Sequence, residues 1–200
     1  MNESIRPRLA DPAAGRILTL ACGVLALMLG GCAGFSAPDC EDFKQVSKDT
    51  DYDTHYQFAE YETEGVHQFY DSLPKPELAA ARLYRISLSD ERTSVCTNIH
   101  IRKDLYLERG SSKAVLEQVR EFYTEGGRLI ATKRENVTAQ LGRSGYFSAT
   151  VPLPIPKAAP PGRYRIVSKL VVRAKPGARE YVLAQTAATF EVEPNAPANR

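Results

Sequence analysis

The chain has 200 residues, a net charge of +2, 43% hydrophobic and 25% charged residues. That composition excludes a disordered chain and a multi-span membrane protein, and so small a net charge excludes a uniformly anionic surface. It holds no Trp, 2 Met and as many Pro as Gly, 13 of each, which favours strands and turns over a helical bundle.

Arg6, Arg8 and Arg16 precede an uncharged apolar run from Ile17 to Gly31. A helix of that length is roughly 22 Å long, short of the ~30 Å hydrocarbon core. The run reads as the h-region of a signal peptide. Leu29-Gly30-Gly31-Cys32 closes it and resembles the lipobox of bacterial lipoproteins: an aliphatic residue, two small ones, then the cysteine that is acylated. The resemblance implies cleavage before Cys32, a lipid on Cys32 and stable membrane attachment, since each buried CH₂ contributes about 0.8 kcal/mol. Ala33 stands where an Asp would signal inner-membrane retention, so the resemblance implies an outer-membrane lipoprotein facing the periplasm. Ordinary secretion with a free Cys32 is the alternative.

Of the 4 Cys, Cys22 leaves with the signal and Cys32 carries lipid. Cys40 and Cys96 remain, and two thiols in an oxidising compartment predict one disulfide; two free buried thiols are the alternative.

From Asp39 to Asp71 every base is Lys44 or Lys48, against a long run of carboxylates; from Ser72 onward Lys and Arg outnumber Asp and Glu. An acidic arm thus precedes a basic body. The arm docks on the body, or both are merely solvated; alternatively the basic face meets an anionic envelope polymer such as lipopolysaccharide or peptidoglycan. Aromatics from Phe43 to Tyr70 are too many for a tether, so part of the arm is expected to dock. Asp42–Lys48 and Glu64–Leu73 read as short helices, the second stopped by Pro74 and Pro76.

Strands follow. Leu83–Leu88 alternates with Tyr84, Ile86 and Leu88 on one face, Val95–Ile101 alternates again, and Asp104–Glu108 is a further short strand ended by Gly110-Ser111-Ser112. Val115–Thr124 and Arg128–Thr138 read as a hairpin about Gly126-Gly127; a helix over Lys113–Glu125 stays open, because Val115, Leu116, Val119, Phe122 and Tyr123 also fit helical spacing. Gly145–Leu153 is a strand, after which Pro152, Pro154, Pro156, Pro160 and Pro161 predict an extended loop outside any ladder. Arg163–Arg173 and Glu180–Glu193 are joined by the turn Lys175-Pro176-Gly177-Ala178. In the last strand Val182, Ala184, Ala188, Phe190 and Val192 share a face.

These elements predict an antiparallel β-sandwich. Pro161-Gly162-Arg163-Tyr164-Arg165-Ile166 resembles the start of the penultimate strand of immunoglobulin-like and fibronectin type III-like domains, and Thr189-Phe190-Glu191-Val192 resembles their closing strand. The resemblance implies that Tyr164 hydrogen-bonds back across a sheet corner. The expected division is a signal at 1–31, an acidic, partly helical or irregular arm at 32–80, an immunoglobulin-like sandwich at 81–193 and a disordered tail at 194–200.

No catalytic constellation stands out. Gly142-Arg143-Ser144-Gly145 lacks the second glycine of a nucleophile elbow, and His55, His67 and His100 are scattered. Asp49, Asp51, Asp53 and Glu60 have the one-three-five-twelve spacing of an EF-hand calcium loop, but Thr54 stands where the turn wants Gly; an acidic solvated arm is the alternative. The sequence thus predicts a non-enzymatic, lipid-anchored binding or scaffold module for another envelope component, with no cofactor and no nucleic-acid partner. A small envelope enzyme acting on cell-wall polymer or carbohydrate and a calcium-stabilised module are the alternatives.

Overall fold

The computed structural model describes residues 40–70 and 73–194. The signal segment with Cys22 and Cys32, Ala33, Asp39, Asp71 and the last six residues of the expected tail lie outside them.

The helices α1 (Cys40–Asp49) and α2 (Glu60–Tyr70) flank a short strand β1 (Gln57–Phe58). In α1, Glu41 and Asp42 in the first turn and Lys48 in the last complement the helix dipole. Eight further strands follow: β2 (Ala79–Leu88), β3 (Arg92–Thr93), β4 (Thr97–Arg109), β5 (Val115–Thr124), β6 (Leu129–Asn136), β7 (Gly145–Ile155), β8 (Gly162–Arg173) and β9 (Tyr181–Val192). They form a four-stranded sheet, β1-β7-β4-β2, and a five-stranded sheet, β3-β9-β8-β5-β6. Every pairing is antiparallel except that of β3 with β9.

The chain is mainly β, and its two sheets pack as a sandwich because their inner faces alternate in register. Ile99, Ile101, Leu105 and Leu107 of β4 face Leu116 of β5 and Ile166, Leu170 and Val172 of β8, all buried. Each such aliphatic side chain contributes about 1.5–3 kcal/mol relative to exposure. The apolar interior falls into two clusters, one around Leu105, Leu116, Phe147 and Leu170, the other around Ile99, Ile101, Ile166 and Phe190.

The hairpin reading of β5 and β6 agrees with the structure; other expectations need correction. Val95–Ile101 and Asp104–Glu108 belong largely to one strand, β4, because the polar residues between them carry no turn signal and Lys103 points inward. Pro152 and Pro154 lie inside β7, opposite His100 and Asn98. Ile155 O accepts from Cys96 N, so odd residues of β7 direct their polar groups toward β4. The prolines, at even positions, turn their missing donors to the far side, where β1 pairs only with Phe147 and Ser148. Val182 is 56% exposed: the register of β9 slips by one residue between Ala184 and Val182, which flips the face. The strand region opens one residue before the expected boundary at 80, and the arm packs into it. β2 begins at Ala79, and arm residues Thr54 and Tyr56 are buried in the body.

Docking of the arm depends on one glycine. A Cβ at Gly145, where φ is +140°, would lie 2.5 Å from Phe58 Cε2, so a larger residue would push β1 off β7. Phe58 there packs edge-on against Phe147 at 5.4 Å between centroids.

Candidate functional site

Two features stand out from an ordinary sandwich: a polar belt across its middle and an apolar cleft at one open side. The belt arises because the inward alternation of three strands passes through polar residues at the same level. Lys103 interrupts Ile101 and Leu105, Gln118 and Arg120 interrupt Leu116 and Phe122, and Ser168 interrupts Ile166 and Leu170. On one side Gln118 Nε2 donates to Ser168 Oγ at 2.8 Å and to Tyr84 Oη at 3.0 Å, while Tyr56 Oη donates to Gln118 Oε1 at 2.8 Å. On the other, Glu135 Oε2 accepts from Arg120 Nη2 at 2.8 Å and from Thr54 Oγ1 at 2.9 Å, and Glu135 Oε1 accepts from Thr54 N at 2.8 Å. Lys103 Nζ donates to Thr54 Oγ1 at 2.7 Å, so one hydroxyl bridges a buried amine and a carboxylate.

The electrostatics follow from burial. Burial drives the Lys103 amine well below the usual lysine range, helped by the Arg120 charge and opposed by Glu135. Burial pushes Tyr84 up to about 12 against its hydrogen bonds, and pushes Tyr56 up as well. Burial alone would raise Glu135, but the Arg120 charge and the Thr54 bonds hold it below the ordinary value. Lys103 and Arg120 are 0% and 2% exposed. Both are closed off from solvent; the segment Tyr52–Tyr56 is clamped into the side of the sandwich by Glu135, Arg120 and Lys133, since Arg120 Nη2 and Lys133 Nζ also donate to Tyr52 O.

The clamped segment fills only part of that side. Farther along, between β6 and the end of β7, a cleft of about 310 Å³ remains, walled by Phe122, Ile130 and Ala131, by Leu153 to Pro156, by Ala158 to Pro160, and by Tyr164, Phe190 and Val192. Pro154, which removes a donor from β7, with Pro156 and Pro160 beyond it, makes a carbon-lined wall. Its single hydroxyl, on Tyr164, is committed: Tyr164 Oη donates to Pro160 O at 2.6 Å, and the ring stacks on Phe190 at 5.4 Å. Next to the cleft, sharing Ile130, Pro160 and Tyr164 with it, lies a polar recess lined by Thr124, Glu125, Arg128 and Arg163. Arg165 joins Arg163 one step around the same turn and lies 5.2 Å from the Tyr123 ring centroid.

The residues singled out in the sequence fare differently. Cys40 and Cys96 form a disulfide with 5.5 Å between Cα atoms, tying α1 to the body where Cys96 N meets Ile155 O. Tyr164 makes the backbone bond that the corner resemblance implies. The calcium spacing does not become a site: among the described residues no group of three or more His, Cys, Asp or Glu side chains could hold a metal. Asp49 ends α1 and accepts from Gln45 Nε2, Asp51 accepts from Asp53 N and pairs with His55, Asp53 pairs with Lys133, and Glu60 opens α2. Thr54, β-branched and turned into the core against Glu135 and Lys103, and Asp53, drawn to Lys133, prevent the wrapped loop. Sequence reasoning missed the belt and the cleft; the one available signal was the polar interruption of three apolar alternations.

No family model and no curated protein matches the chain. Among solved structures it is similar to the C-terminal domain of Wzt at a TM-score of 0.43 and 10% identity, covering 81% of this chain and 91% of that one. It is similar to the alkylpurine DNA glycosylase AlkC of Pseudomonas fluorescens at 0.35 and 13%, covering 58% of this chain and 30% of that one. With a beta-glucuronidase of Parabacteroides merdae the values are 0.34 and 13%, covering 58% and 14%. The chain thus spans less than a third of these two enzymes. Likenesses this distant carry no function to it.

Proposed function

We propose that the protein is a lipoprotein of the cell envelope, anchored in the outer membrane through an acylated Cys32, whose immunoglobulin-like sandwich binds another envelope component without catalysis. The observation that carries this reading is the chemistry of the cleft. Its lining offers no carboxylate, imidazole, thiol or amine, and its one hydroxyl is tied to a backbone carbonyl, so the groups that general acid–base or nucleophilic chemistry needs are missing from it. What remains is recognition by apolar contact, with basic residues at the rim.

Two further observations support the reading. The Cys40–Cys96 disulfide suits an oxidising compartment such as the periplasm. The Tyr164–Pro160 bond suits the immunoglobulin-like type of sandwich, in which a corner tyrosine bonds to backbone a few residues upstream. The test is cell fractionation of the wild type and Cys32→Ala, with the mass of the mature N-terminus. An acyl mass on Cys32 and loss of membrane retention in the variant are expected; equal retention with no acyl mass on the wild type would refute the anchor.

A further inference from the structure

Deepening the proposed envelope-binding function and resting on it, we infer that the cleft between β6 and β7 is a binding site for an anionic lipid, its alkyl chain in the cleft and its headgroup on the adjacent arginines.

The lining decides against a peptide. A strand added along this wall of β7 would meet no donor at Pro152 or Pro154, and the cleft lining beyond them is carbon apart from the committed Tyr164 hydroxyl and backbone. An entering peptide would find carbonyl acceptors there but no donors, so its own carbonyls would give up hydration without replacement. An alkyl chain loses nothing of that kind and gains by leaving water. Exposed Ile130, at 48%, extends the apolar surface at the cleft's mouth.

The rim decides the headgroup. Among the described residues, the other basic side chains on strands of the five-stranded sheet are all paired. Arg92 pairs with Glu191, Arg120 and Lys133 with Glu135, and Lys169 with Glu121. Arg134 and Arg173 share Glu117 and Glu180. Arg163 and Arg165 make no ion pair; Arg163 lies across from Glu191, which Arg92 also engages, and stands with Arg128 and Glu125 in the recess beside the cleft, Arg165 lying in the next one. Two exposed guanidiniums to one carboxylate in the recess that adjoins a carbon-lined slot complement a phosphate attached to an acyl chain.

The test uses the full chain in a neutral maltoside detergent with photoactivatable acyl probes of phosphatidylglycerol and phosphatidylcholine, the adducts being located by peptide mass mapping. The phosphatidylglycerol probe is expected to label peptides containing Ile130 and residues 153–160, roughly five- to tenfold above the phosphatidylcholine probe at low salt, a preference that shrinks at 1 M salt. Ile130→Asp should abolish the label from both. Arg128→Gln with Arg163→Gln should bring the phosphatidylglycerol yield down to the phosphatidylcholine level while leaving the latter unchanged; all three positions are exposed and a neutral glutamine sets no like charge against Glu191, so folding is retained. Equal labelling by both probes would overturn the headgroup assignment, and labelling only outside the cleft, or capture there of a protein segment, would overturn the site. Failure here with an acylated Cys32 leaves the envelope reading standing, whereas labelling of the cleft in a protein without the acyl group would remove that reading alone.

Discussion

Replacing Glu135 by Gln changes little in volume and takes one charge from the clamp that holds the arm. Glu135 accepts from Arg120 Nη2, Thr54 N and Thr54 Oγ1, with its side chain 9% exposed and that of Arg120 2% exposed. A glutamine can keep the bond from Thr54 N. Its amide nitrogen would then face the Arg120 guanidinium, donor against donor, leaving a buried cation without its counter-charge. Breaking such a pair costs about 3–5 kcal/mol; Arg120 keeps its bond to Tyr52 O, which places the expectation near 3 kcal/mol. For a domain of this size that lowers Tm by roughly 6–12 °C. Denaturant melts give the free energy, and limited proteolysis should show earlier cleavage between residues 50 and 58. The pH dependence has a definite sign: a carboxylate held below its ordinary value contributes stability above that value and loses it as pH falls through the folded one, so the acid limb of the wild type should flatten in Glu135→Gln. The apolar replacement of both partners, Arg120→Met with Glu135→Leu, should recover most of the loss. A single variant within 0.5 kcal/mol of wild type would refute the clamp.

Lys103→Met should stabilise the protein by about 1–2 kcal/mol, since it removes a buried amine with a single bond. Because burial lowers that amine, the wild type should gain stability relative to the variant as pH rises toward the ordinary lysine value near 10.4; urea melts at several pH values would show the converging curves, and parallel curves would contradict it. Tyr164→Phe should cost about 1 kcal/mol, as the exposed Pro160 carbonyl regains water, and Tyr164→Ala about 3 kcal/mol or more through the cavity beside Phe190; a Tyr164→Ala variant melting like wild type would mean that the ring packs against nothing. Reducing Cys40–Cys96 should cost about 2–4 kcal/mol, with α1 becoming protease-sensitive before the sheets do; peptide mapping without reductant that finds both thiols free in the native protein would contradict the link.

The strands were legible where alternation meets a punctuating turn. β8 begins at Pro161-Gly162, and the β5–β6 hairpin turns at Gly126-Gly127, as their residues imply. Pro152 and Pro154 misled because a proline is harmless on the unpaired side of a strand, and which side is unpaired depends on where β1 docks. Val182 misled because a register slip leaves no mark in the sequence. The calcium spacing misled because Thr54 is drawn into the core by Glu135 and Lys103 and Asp53 is drawn to Lys133, a tertiary outcome. Tyr164 was legible through its turn. The cleft was not: its walls come from β5, β6, β7, β8, β9 and the proline loop, brought together only by the way the arm stops short.

The most direct measurement is photo-crosslinking in living cells from a benzoylphenylalanine placed at Ile130 in the cleft, compared with one at Thr150, an exposed position on β7. A binding module of the envelope should give a specific adduct from position 130 in the membrane fraction, absent from position 150 and lost in Cys32→Ala. Adducts from position 150 with none from position 130, or a position-130 adduct recovered only in the cytosol, would contradict the account.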